Sequence, residues 1–173
     1  MQAQLARIYA KGAFGEIDWR AHESRGAAVS YGRLAFSDGN DRDIAQARWT
    51  ERVIVGPVYK LEVTPGIFAS RNTLTDRPYF NPSHDFSPTL EVMNEWLQWR
   101  RYTQAFYHRL IGDVGNYWQE HFKDRPLYGV RYEQEWDAYD RVALRYGVGR
   151  TWHSYDGVLS ERTFGYVALN WRF

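Results

Sequence analysis

The chain has 173 residues, of which 44% are hydrophobic and 25% charged, so it belongs with single folded domains and not with disordered chains. Lys and Arg number 22 against 21 Asp and Glu, and a net charge of +1 provides no overall field to gather nucleic acid or an anionic surface. The absence of cysteine excludes disulfide scaffolds, zinc ribbons and thiol catalysis. No run approaches the ~18–20 apolar residues of a transmembrane helix. Met1–Arg7 lacks the apolar stretch of a signal peptide, so the chain is expected to be cytosolic or to start inside a longer precursor. Trp 8, Tyr 13 and Phe 9 make 17% of the residues, yet the mean hydropathy is −0.63.

Along the chain, segments of roughly ten residues rich in Tyr, Trp, Val and Thr alternate with turn clusters. Segments 3–11, 14–22, 27–37 and 43–54 are the first expected strands. Val58–Ser70 alternates cleanly, with Tyr59, Leu61, Val63 and Ile67 opposite Lys60, Glu62, Thr64 and Ser70. Pro65 within it predicts a bulge or a misplaced boundary. Pro88–Ile111 carries helical spacing at Leu90, Met93 and Leu97, but its aromatic content and its neighbours favour two strands, 88–99 and 102–117. Leu127–Trp136 sets Tyr128, Val130, Tyr132 and Trp136 against Arg131, Glu133 and Glu135. Asp140–Thr151 and Arg162–Phe173 alternate in the same way. The expectation is about ten strands.

The connections alternate in length. Short ones are expected at 24–26, 55–57, 100–101 and 137–140, and longer polar ones at 37–42, 72–86, 120–126 and 153–161. Short turns at one end of a meander and long loops at the other predict an all-β, antiparallel up-and-down transmembrane β-barrel in the outer membrane. Val167, Leu169, Trp171 and Phe173 close the chain as an amphipathic strand with an aromatic end, like the signal read by barrel assembly machinery. That ending would put the short turns in the periplasm and the long loops outside.

The blocks Arg71–Leu74, Pro78-Tyr79-Phe80-Asn81-Pro82, Glu95-Trp96-Leu97-Gln98-Trp99-Arg100-Arg101-Tyr102, Tyr117–Glu120, Leu144–Gly149 and Leu169–Phe173 go further. They resemble the C-terminal barrel of the poly-β-1,6-N-acetyl-D-glucosamine export porin family (PgaA/HmsH type). The likeness is good from about Phe36 onward and thinner before it. It implies export of a partly deacetylated biofilm polysaccharide and a larger barrel of roughly sixteen strands. It also implies a signal peptide and a periplasmic tetratricopeptide-repeat region, which these residues lack. Residues 1–173 are therefore expected to be the C-terminal portion of that barrel. An inner-membrane synthase and a periplasmic deacetylase are implied as partners.

A lumen that passes a cationic polymer needs weak, repeated contacts. The faces opposite the apolar ones carry Glu62, Glu133 and Glu135, and with them Glu91, Glu95 and Asp113. The same faces carry Lys60, Arg109, Arg131 and Arg145. These acids form either a substrate path, with Glu133 and Glu135 foremost, or a ladder of ion pairs holding the barrel's shape. Trp96, Trp118, Trp136, Trp152 and Trp171 near segment ends read as interface girdles. Tyr79 and Phe80, in a loop stiffened by Pro78 and Pro82, are candidates for stacking on sugars. His153–Asp156 and Ser83–Asp85 each set Ser, His and Asp side by side, but a triad is made in space, not by adjacency. No catalytic residue, metal or cofactor is expected. A small plugged barrel and a soluble carbohydrate-binding β-barrel are the alternatives.

Overall fold

The computed structural model describes residues 7–139, 141–155 and 157–171. They form one sheet of nine strands in sequence order. The strands are β1 (Ala10–His22), β2 (Arg25–Phe36), β3 (Asp41–Val55), β4 (Tyr59–Asn72), β5 (His84–Arg101), β6 (Gln104–Gln119), β7 (Arg125–Ala138), β8 (Val142–Tyr155) and β9 (Val158–Trp171). Every neighbouring pair is antiparallel. Among the described residues no ladder joins β1 to β9, so both are edge strands.

Pro88–Ile111 is extended, spread over β5 and β6. The two expected strands at 3–11 and 14–22 are replaced by the single β1, and residues 1–6 lie outside the described residues. No register shift occurs at Pro65. It pairs with Leu90 of β5, and the β3–β4 ladder skips from Arg48↔Gly66 to Glu51↔Val63 without changing register. A proline lacks the N–H that this ladder would use. The Thr64 hydroxyl instead meets the Thr50 hydroxyl at 3.3 Å. The shift in this ladder falls between Arg52 and Ile54, near the turn.

The expected long connection at 153–161 is also corrected. Tyr155 pairs with Val158, so only residues 156 and 157 connect β8 to β9, with Gly157 at φ 77°. Asp-Gly is a strong hairpin signal. The polar residues around it belong to strand ends. The remaining connections on that side are 37–40, 73–83 and 120–124; those on the opposite side are 23–24, 56–58, 102–103 and 139–141.

Side-chain alternation gives the sheet two unlike faces. One carries Ile17, Val29, Ile67, Leu90, Val114, Val130, Val148 and Val167, all exposed; Val114 is 58% and Val167 74% accessible. The other holds most of the buried polar residues, including Ser70, Asn72, Asp85, Ser87, Glu95, Gln119, Glu133 and Glu135. The sheet is apolar outside and polar inside, the reverse of a soluble domain. That inversion explains how 17% aromatics coexist with low mean hydropathy.

The aromatics on the apolar face gather at its two ends. Trp19–Trp49, Tyr59–Trp96 and Trp99–Phe106 pair at the short-turn end, with ring centroids 5.9, 5.7 and 6.4 Å apart. Phe86–Trp118 and Tyr128–Trp152 pair at the other end, at 5.5 and 5.1 Å. Rings with an apolar body and a polar tip suit the two headgroup zones of a bilayer. Val167, Leu169 and Trp171 line the apolar face of β9, with Trp171 63% exposed. Phe173 lies outside the described residues.

Candidate functional site

The six predicted acids all project from the polar face, because their registers place them on alternate positions of β4 to β7. Lys60, Glu95, Arg109 and Glu133 are directly opposite one another across four strands. Opposite charges in cross-strand positions attract, and here they lock. Lys60 Nζ donates to Glu95 Oε1 at 2.9 Å, and Arg109 Nε to Glu95 Oε2 at 2.7 Å. Arg109 Nη1 and Nη2 clasp Glu135 at 3.0 and 3.1 Å, while Arg145 Nε bonds the same carboxylate. Arg131 Nε lies 2.6 Å from Glu133 Oε1, and Tyr166 also hydrogen-bonds Glu133. Glu95, Glu133 and Glu135 are thereby buried and paired.

The other three acids behave differently. Glu91 of β5 is directly opposite Asp113 of β6. Like charges in that position repel and destabilise the sheet. Arg131 Nη2 is 3.8 Å from Glu91, an ion pair at the edge of contact. Glu62 completes the group and pairs with Arg52 at 3.0 Å. Beside them, Gly129 makes room: a Cβ there would stand 2.5 Å from Asp113 Oδ1. The face thus divides into a closed ladder (Glu95, Glu133, Glu135) and an open acidic pair (Glu91, Asp113), with Glu62 beside the pair and held by Arg52. Gly147 and Gly149 lie under the rings of Tyr166 and Phe164, so the glycines on this face let neighbours lie flat.

At the long-loop end, loop 73–83 folds back over the polar face. Asn40 is fully buried and organises it. Its Nδ2 donates to Asn72 Oδ1 at 3.1 Å and to Tyr79 Oη at 3.0 Å. Its Oδ1 accepts from Leu74 N at 2.9 Å and Thr73 Oγ1 at 3.2 Å. Asn72 Nδ2 donates to the Pro82 carbonyl at 2.6 Å. Tyr79 stacks on Phe36 at 4.9 Å and donates to Asp38 at 3.1 Å. Burial, foremost, holds its phenol above the usual range. The structure therefore uses one face and the hydroxyl of Tyr79 as a strut. Phe80 is half-buried beside it.

The two loop segments with Ser, His and Asp are used in separate ways. Ser83 Oγ bonds Glu120, and His84 Nδ1 lies 3.4 Å from the same carboxylate. Asp85 turns to the polar face, where Ser70 and Tyr117 donate to it, the latter at 2.9 Å. The His153 ring packs on Tyr117 at 4.6 Å, while Ser154 is buried. His108, on the apolar face, bonds the Tyr132 hydroxyl.

A single antiparallel sheet, apolar and girdled on one face and ion-paired on the other, is the wall of a bacterial outer-membrane β-barrel. A family model for the PgaA membrane β-barrel domain matches residues 1–173, and the chain belongs to that family. Two curated relatives are the poly-β-1,6-N-acetyl-D-glucosamine export proteins of Escherichia coli K12 and of Escherichia coli O157:H7. Each is 27% identical over 161 residues, which is 91% of this chain and 20% of the relative. The chain thus spans about a fifth of the length of the curated relatives it matches. A solved structure described as a bacterial polysaccharide outer membrane secretin superposes with a TM-score of 0.91 at 24% identity. It covers 96% of this chain and 57% of its own. That likeness concerns the fold.

Proposed function

We propose that these strands form part of the wall of a larger outer-membrane barrel that exports poly-β-1,6-N-acetyl-D-glucosamine, partly deacetylated, through its lumen. The names of the relatives support the substrate. The two unpaired edges, β1 and β9, support the larger barrel, because lipid cannot satisfy an open edge. The chain is the C-terminal portion of that barrel, and its long-loop end faces outward. Its role is transport without chemistry. Val167, Leu169, Trp171 and Phe173 serve the assembly machinery. The synthase and the deacetylase are the remaining partners of the whole protein.

One observation carries the reading: the directly opposed Glu91 and Asp113 on the polar face. A like-charge pair costs stability, and such local conflicts mark functional sites. Here it offers ammonium groups of the polymer a weak, exchangeable attraction, helped by Glu62. Glu95, Glu133 and Glu135 hold the wall's shape. Glu91→Gln with Asp113→Asn in the full-length protein should lower surface polymer several-fold at unchanged barrel level, read by immunoblot of polymer and protein. Unchanged polymer would remove the acidic path.

The stapled 73–83 loop favours a second reading, a barrel narrowed to closure. Planar-bilayer recordings decide between them: open-channel steps support the exporter, and a silent, correctly folded protein supports the plug.

A further inference from the structure

A cavity of about 610 Å³ opens between loop 73–83 and the 120–124 connection. Its volume lies within the range of about 300–1,000 Å³ typical of small-ligand sites. Arg77, Asn81 and Ser83 line one side; Glu120, His121 and Phe122 line the other. The first side is immobilised by the Asn40 network, and Asn81 adds a bond from Nδ2 to the Leu74 carbonyl at 2.8 Å. On the second side, Phe122 is 41% exposed although it borders a polar cavity. Its Cδ1 would stand 3.1 Å from a Cβ at Gly157, so the ring rests on the β8–β9 turn. Glu120 keeps 44% of its side chain accessible, with the Ser83 hydroxyl on one oxygen. His84 and His121 lie 3.4 and 3.7 Å from it.

An exposed, supported ring beside a carboxylate and an amide matches an amphipathic ligand with an apolar face, a cationic group and a hydroxyl rim. We propose that this cavity is a subsite for one β-linked glucosamine unit at the mouth of the pore. Phe122 receives the C–H face of the sugar. Glu120 takes the ammonium in a charge-assisted bond, and Arg77 with Asn81 meets the hydroxyls. Tyr79 acts through the loop as a positioning residue. This proposal rests on the export reading above. It adds a discrete stop at the rim, chosen for deacetylated units.

The test is binding of a β-1,6-linked glucosamine hexasaccharide to the full-length, detergent-solubilised protein, followed by titration and saturation-transfer NMR. Phe122→Leu keeps the packing on Gly157 and removes the ring; Glu120→Gln keeps the shape and removes the charge. Each should weaken binding at least five-fold. Glu120→Gln should leave the weaker binding of the N-acetylated hexasaccharide unchanged. Wild-type binding that survives both variants but falls with Glu91→Gln/Asp113→Asn would overturn the mouth subsite and leave the export reading standing. Absence of any wild-type binding, together with normal export by the Glu91/Asp113 variant, would overturn both.

Discussion

Arg109 is the keystone of the ladder, and its removal has a calculable cost. Its side chain is 11% exposed and makes three charge-assisted bonds, one to Glu95 and two to Glu135. At about 1.5–3 kcal/mol per bond to a charged group, a simple sum would give about 5–9 kcal/mol. The sum overshoots, because each carboxylate keeps a second partner: Lys60 for Glu95 and Arg145 for Glu135. Those partners are 38% and 46% exposed and screened by water. Breaking a buried pair costs about 3–5 kcal/mol, and the retained partners put Arg109→Ala at the lower end, about 3 kcal/mol. That is roughly two orders of magnitude in the folding equilibrium. Lys60→Ala, on the exposed side of the same carboxylate, should cost less than about 1 kcal/mol. Urea unfolding of the full-length protein in lipid vesicles, followed by Trp fluorescence, compares the two. Equal losses for Arg109→Ala and Lys60→Ala would refute the idea that burial and bond count set the ladder's strength.

Other expectations concern separate parts of the wall. Val148→Arg places a charge mid-strand on the apolar face of β8 and should destabilise the barrel by about 2–4 kcal/mol in the same assay. Gly157→Val forces a branched side chain to φ 77° against Phe122 and should cost about 1–3 kcal/mol; heat-shifted gel mobility would show the lower melting point. Asn40→Ala leaves the Leu74 amide, Asn72 and Tyr79 without their buried partner. Loop 73–83 should then become cleavable by added protease while strand content by circular dichroism stays the same.

Much of this architecture was legible because a barrel wall has a strict two-residue period. The alternations at Val58–Ser70 and Leu127–Trp136 assigned each residue to the correct face, and the same rule placed all six acids on the polar side. The five tryptophans near segment ends lie on the apolar face, as the girdle reading requires. Polarity failed as a marker of strand ends. Strands that extend past the bilayer can be polar on both faces, so His153–Glu161 read as a loop, although Asp156-Gly157 already signalled the turn. The division between paired and open acids was not legible. Arg109 faces Glu95 on one side and Glu133 on the other in register; it bonds Glu95 but passes over Glu133 for the diagonal Glu135, a choice made by side-chain reach. Phe122 stood in no pattern and Glu120 only in the Tyr117–Glu120 block, since only the fold brings the 120–124 connection opposite loop 73–83.

The strand order has a kinetic consequence. Each strand hydrogen-bonds only its immediate sequence neighbours, so contact order is low and any hairpin can serve as a nucleus from which pairing spreads one strand at a time. In the larger barrel proposed above, β1 pairs with the strand before it in the same local way, whereas β9, at the end of the meander, pairs with a distant strand. The seam that joins the two ends of the whole meander is the one step that must wait for distant segments, with the loop-closure entropy that entails. These nine strands can therefore pair early and cheaply, while closure of the barrel is decided at the outer edge of β9.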